Sequence, residues 1–190
     1  MYRKIMEYLI EWKNSPYRKP LILQGARQVG KTYSILEFGR EQYENVAYFN
    51  FETNPRLIRT FDESIDPNYL IPILSRLSNQ TIIKGKTLII LDEVQLCERA
   101  LTSLKYFCEN APEYHIIVAG SLLGVAVNRE RFSFPVGKVD LKTLYPMDME
   151  EFLLALGEAE LVTQIKESFE NDIPLPSALH EAALSYYRQY

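Results

Sequence analysis

Residues 25 to 32 read GARQVGKT, a glycine, four further residues and then Gly30-Lys31-Thr32. A loop of this spacing wraps a polyphosphate with backbone N–H groups, and it needs residues without side chains where the chain comes closest to the anion, here Gly25 and Gly30. Lys31 brings a point positive charge to the β and γ phosphates. Thr32 brings a hydroxyl for Mg2+, and the helix that starts there adds a favourable dipole. The expected binding segment runs through Gly25, Ala26, Arg27, Gln28, Val29, Gly30, Lys31, Thr32 and Tyr33, with ATP and Mg2+ as its ligands. A glycine turn before a lysine-capped helix would share this pattern. The apolar "PLILQ" just before it and "KTYSILEFGREQY" just after it supply the strand and helix that the phosphate reading requires.

What happens to the bound nucleotide depends on residues elsewhere. "TLIILDEVQ" is an apolar run ending in acid. Asp92, at the carboxyl end of that strand, is placed to hold magnesium through water, because ligands of open parallel sheets sit at the carboxyl ends of the strands. Glu93 follows it and can orient and deprotonate a water in line with the γ-phosphate, which favours hydrolysis over transfer to another acceptor. Glu93 and Lys31 are therefore the expected catalytic pair. Glu52, ending "VAYFNFE", is a rival base. Ser121, ending "YHIIVAGS", either senses the γ-phosphate or caps the short "LLGVAV" segment. Arg129, Arg131 and Lys138 are candidate cationic fingers, although solvated charge is the commoner fate of such residues. His115 lies within a strand and reads as structural.

These residues need a scaffold of alternating elements. Ile5, Tyr8, Leu9 and Trp12 fall at helical spacing, and "NSPYRKP" ends that helix before "LIL". Strands are expected at "PLILQ", "VAYFNFE", "TLIILDE", "YHIIVAGS" and "VDLKTL". Between them come helices, including one at Leu70, Ile73, Leu74 and Leu77 that is bent or delayed by Pro72. Cys97, Leu101, Leu104 and Cys108 form the apolar stripe of another helix. Strands that are apolar on both faces and alternate with helices imply an α/β fold, a parallel sheet covered on both sides.

Beyond Gly157 the sequence is helical throughout, with "NDIPLP" as a joint. The expected division is residues 1–157 and 158–190. A stripe of Leu179, Ala182, Ala183, Tyr186 and Tyr190 is still running at the last residue, so the chain is expected to end before its second domain does.

The 190 residues suffice for one domain without staples, and the net charge is −4. Cys97 and Cys108 on one helix would be separated by roughly 16 Å of rise, beyond disulfide reach. No close Cys/His pairing suggests zinc. The opening "MYRKIMEYLIEW" is too charged for a signal peptide, and no apolar run is long enough to span a bilayer, so a cytoplasmic protein with no membrane partner is expected. The scatter of Lys and Arg gives no basic stripe; it permits nucleic acid without implying it.

Taken together, "LILQGARQVGKT", "VAYFNFE", "LIILDEVQ", "IIVAGSLLG" and "SFPVGKVDLKTLYPMDMEEFL" resemble a prokaryotic family of AAA-type P-loop ATPases. In that family the ATPase domain is followed by a winged-helix-like segment and a C-terminal domain of poorly understood function. The resemblance covers residues 1 to about 157, and "HEAALSYYRQY" looks like the start of the second part. It implies phosphate binding at Gly25, Gly30, Lys31 and Thr32, magnesium at Asp92 and catalysis at Glu93. Relatives often have Gly-Arg where this sequence has Gly137-Lys138, and lysine lacks arginine's planar fork.

Three functions compete: an ATP hydrolase whose cycle moves a partner or a further domain, an ATP-loaded switch with very slow turnover, and a phosphotransferase. Glu93 beside Asp92 argues against the third. Self-association is a further expectation, because a cationic finger can come from a neighbouring subunit.

Overall fold

The computed structural model describes residues 2–121 and 135–190. Five strands, β1 (Leu21–Gln24), β2 (Asn45–Asn50), β3 (Thr87–Asp92), β4 (His115–Gly120) and β5 (Asp140–Thr143), form one parallel sheet in the order β2-β3-β4-β1-β5. Every residue of β3 and β4 is buried, and alternation along the strands divides their side chains between two cores. Ile22, Ile89, Leu91, Ile116 and Val118 face one core; Leu21, Leu23, Leu88, Ile90, Ile117 and Ala119 face the other.

The second core is closed by α1 (Ile5–Asn14) and α2 (Lys31–Gln42), through Ile5, Leu9, Trp12, Ile35 and Phe38. The first is closed by α3 (Pro55–Glu63), α4 (Pro67–Ser78) and α5 (Glu98–Asn110), through Leu57, Phe61, Leu70, Leu74, Leu104 and Phe107. Asn54 and Asp66 cap α3 and α4, each followed by a proline in the first turn, where its missing N–H costs nothing. Pro72 lies inside α4, so the expected delay of that helix does not occur.

The cysteine stripe is also shorter than expected. Cys97 is the residue before α5, buried with its thiol pushed up to about 11 by burial, and Cys108 is only half-buried. Leu101 and Leu104 carry the stripe into the core.

After β5 come α6 (Met149–Ala155), α7 (Ala159–Glu170) and α8 (Ser177–Tyr187). The start of α6 is a capping box: Asp148 accepts from the Glu151 N–H, and Glu151 accepts from the Asp148 N–H. Leu153, Leu161 and Val162 form a third, small cluster, against which Leu179, Ala183 and Tyr186 pack. No residue of α8 is fully buried. Among the described residues no helix is long and apolar enough to cross a membrane.

Candidate nucleotide site

The phosphate loop leaves β1 at its carboxyl end and enters α2 at Lys31. Two of its residues need unusual backbone. Gly30 has φ +90°, which glycine adopts without penalty. At Gly25 the constraint is proximity: a Cβ there would lie 2.2 Å from the Leu144 carbonyl oxygen. The segment after β5 thus supports the loop from behind, and this glycine is required by protein packing as well as by any approach of phosphate. Gln28 also has a positive φ of 64°.

Lys31 is buried, and Nζ donates to the carbonyls of Gly25 (2.9 Å) and Ala26 (2.7 Å). Burial lowers its pKa, opposed by the nearby charges of Glu93 and Asp92. The Thr32 hydroxyl donates to Asp92 Oδ2 at 2.7 Å. Asp92 is 3% exposed, and the Tyr48 hydroxyl donates to the same oxygen at 2.9 Å. Asp92 Oδ1 accepts the Glu93 N–H at 2.9 Å. Burial is the main cause of the raised Tyr48 pKa, so this hydroxyl keeps its proton.

Glu93 adopts a left-handed conformation (φ 54°, ψ 40°), uncommon for a residue with a side chain and frequent at functional sites. Its Oε2 accepts a hydrogen bond from Gln95 Nε2. Arg27, Gln28, Gly30, Lys31, Thr32, Tyr33, Glu52, Glu93 and Ser121 line one cleft of about 490 Å³. Because β4 lies between β1 and β3, Ser121 stands between the loop and the two acids. Its Oγ is buried with no hydrogen-bond partner among the described residues.

A hydroxyl and a buried carboxylate, held 2.7 Å apart beside a phosphate loop, fit Mg2+, which takes its remaining positions from phosphate oxygens and water. Glu52 and Glu93 both reach the cleft, so the structure brings both candidate bases to one site.

Lys138 is placed differently. It precedes β5, whose Asp140 pairs with Leu21 at the amino end of the sheet, and its Nζ is 2.9 Å from Glu109. The cleft opens at the other end, so Lys138 is not a finger for its own chain's site. Arg129, Arg131 and the "LLGVAV" segment that Ser121 was expected to cap lie outside the described residues. His115 is buried with Nδ1 2.7 Å from the Tyr43 hydroxyl, among Trp12, Tyr43 and Phe38, a packing role as expected.

Sequence reasoning missed four residues. Tyr48 and Gln95 carry no role in the sequence analysis. Arg3 and Glu151 were passed over, yet both are buried and Arg3 touches the phosphate loop. Only Gln95, two residues from Glu93, carried a local signal.

A comparison with curated proteins by sequence finds no match. Among solved structures, one chain of the Drosophila ORC bound to DNA is similar at a TM-score of 0.53 and 16% identity, over 87% of this chain and 48% of that one. ORC1 of Aeropyrum pernix in complex with DNA aligns at a TM-score of 0.47 and 17% identity, over 82% and 48% of the two chains. The chain therefore spans about half the length of these solved chains, and the Drosophila likeness supports the fold. A family model described as an AAA domain matches residues 17–153, which include the phosphate loop, β3 with Asp92, and β5. With the site geometry and this match in agreement, the chain belongs to the AAA family of P-loop ATP-binding domains.

Proposed function

We propose that this chain binds Mg-ATP and hydrolyses it in the cytoplasm, and that the cycle moves a partner or a further domain. Residues 1–157 are read as the ATPase domain and 158–190 as the start of a helical second domain. The observation that carries the reading is the meeting of Lys31, Thr32 and Ser121 from two strands with Glu93 from a third at one cleft, Thr32 already bonded to Asp92.

Lys31 exchanges the carbonyls of Gly25 and Ala26 for phosphate oxygens, so its charge is not left without acceptors when the cleft is empty. Mg2+, when bound, neutralises charge on the β and γ phosphates. Thr32 and Asp92 would hold the metal, with Tyr48 fixing the carboxylate. Glu93 accepts the proton of the attacking water, and Ser121 Oγ donates into the cleft where charge develops.

A second reading, the long-lived ATP-loaded switch, is favoured by one contact: Gln95 donates to Glu93 Oε2, which makes that oxygen a weaker base and restrains the side chain. Phosphate release measured on the protein separates the two. Hydrolysis predicts repeated turnover that rises when a second copy or another protein partner supplies a cationic side chain. A switch predicts less than one phosphate per chain whatever is added. Within the first reading, Glu93→Gln keeps Mg-ATP binding and stops turnover, because the amide keeps the shape but takes no proton. If Glu52→Gln stops turnover and Glu93→Gln does not, the base is Glu52.

A further inference from the structure

Arg3 is 4% exposed, although it lies in the charged opening "MYRK". Its three guanidinium nitrogens serve three distant segments. Nη1 donates to the Val29 carbonyl of the phosphate loop at 3.0 Å, Nη2 to the Tyr145 carbonyl at 2.9 Å, and Nε to Glu151 Oε1 at 3.1 Å. Glu151 is itself 5% exposed, and the same Oε1 accepts the Lys4 N–H at 2.7 Å. A buried ion pair is by itself weak evidence for stability, because desolvation offsets most of its attraction. The contact with Val29 gives this one a different significance.

The carbonyl of Val29 and the N–H of Gly30 belong to one planar peptide, and no peptide among the described residues is cis. They therefore point in opposite directions. Gly30 lines the nucleotide cleft and Arg3 does not. A donor that holds the carbonyl from behind turns the Gly30 N–H toward the cleft, the orientation an anion requires. The guanidinium also limits Gly30 itself, since a Cβ there would meet Arg3 Nη1 at 3.3 Å. The other two nitrogens fix the same group to the segment after β5 and to the first turn of α6, which packs on α7 and α8 through Leu153, Leu161 and Val162.

We propose that Arg3 is a positioning residue that presets the phosphate loop and ties it to α6, so that occupancy of the loop and the placement of the helices after β5 are coupled. This rests on the nucleotide reading above. Lysine cannot replace the group, because one ammonium cannot reach three acceptors in a plane. Coupling is reciprocal: whatever shifts α6 changes nucleotide affinity, and nucleotide changes the dynamics of α6.

The test uses the whole chain in two measurements. Hydrogen exchange with and without Mg-ATP is expected to show slowing in the loop and also in the amides of residues 152–156 of the unmodified protein. Nucleotide titrations, run well below each variant's Tm, are expected to show about tenfold weaker binding for Arg3→Lys, toward the low end of measured coupling energies. Glu151→Gln is the second variant. Glutamine keeps one acceptor for the capping box but places an NH2 where Glu151 Oε1 accepts Arg3 Nε and the Lys4 N–H, and it carries no charge opposite Arg3, so it weakens binding in the same direction without depending on the fate of Arg3→Lys. Slowing confined to the loop overturns the coupling. Parental affinity in both variants, whatever their Tm, overturns the positioning role and leaves a structural one. If the unmodified protein shows no response to Mg-ATP, the nucleotide reading itself fails and the proposal falls with it; if it responds and the variants match it, the proposal alone falls.

Discussion

The Thr32 hydroxyl and Asp92 Oδ2 are 2.7 Å apart although 60 positions separate them in sequence. Tyr48 donates to the same oxygen, and the Glu93 N–H holds the other. The carboxylate thus has a fixed orientation before any metal arrives. An amide in its place has one acceptor for these three donors and no charge for the metal. Asp92→Asn is therefore expected to make ATP affinity independent of Mg2+. Titrations with and without the metal check this, and an undiminished Mg2+ effect would show that Asp92 does not handle the ion.

Lys31→Ala is expected to remove ATP affinity while leaving the fold. Its partners are the carbonyls of Gly25, which is half-buried, and Ala26, which is exposed, and water can serve them in its absence. A ligand at about a hundredfold excess over its Kd stabilises by roughly 2.7 kcal/mol. A thermal scan in Mg-ATP should show that gain in the parent and none in the variant; an equal gain in both contradicts the loop assignment.

Gly25→Ala separates packing from ligand binding. The new methyl would lie 2.2 Å from the Leu144 carbonyl, and backbone cannot yield as a flexible side chain does. The expected cost is about 3 kcal/mol, at the upper end for over-packing, and it appears without nucleotide. Denaturant unfolding of the ligand-free variant measures it. Unchanged stability would mean that β5 and the loop are not packed as described.

His115 sets a pH dependence. Burial pushes its pKa down to about 4, with Arg18 and Lys13 adding to the effect. The unfolded chain therefore takes up the proton first, near its ordinary value of about 6.5. The contribution of neutral His115 is complete above about pH 6.5 and is lost as pH falls toward about 4. Carboxylates held down by ion pairs, such as Glu150 beside Lys166 and Lys4, act at the lower end of that range. Tm should fall between about pH 6.5 and 5, and His115→Gln should flatten that decline. An equal decline in the variant would assign it to other groups.

The loop and Asp92-Glu93 were legible because each is a contiguous motif, and the strand before the loop and the helix after it are local patterns too. The two-sided burial of β3 and β4 showed in their unbroken apolar runs. Arg3 and Glu151 were not legible: a pairing across 148 positions leaves no periodicity, and "MYRK" looks like any charged terminus. Tyr48 is one aromatic residue in an aromatic strand and gives no sign of a partner in sequence, yet it lies partly exposed with its hydroxyl on Asp92. Lys138 meets the commoner fate of such residues, a solvated charge paired with Glu109, and the sequence alone did not choose between that and a finger. Proximity to a strand in sequence does not say which end of the sheet a residue occupies until the register is known, and Asp140 opposite Leu21 puts it at the amino end.

The strand order also imposes a schedule on synthesis. β1 is the first strand made, but its two neighbours, β4 and β5, are the last. Until residues 115–120 and 140–143 have left the ribosome, β1 has no ladder to join and the phosphate loop has nothing to hold it in place. β2 and β3 pair earlier, so the half of the sheet carrying Asp92 assembles before the half carrying Lys31. Non-local pairing of this kind is slow, since a long loop must close before any contact rewards it. The loop therefore gains its full framework only when nearly all of the sheet has been translated.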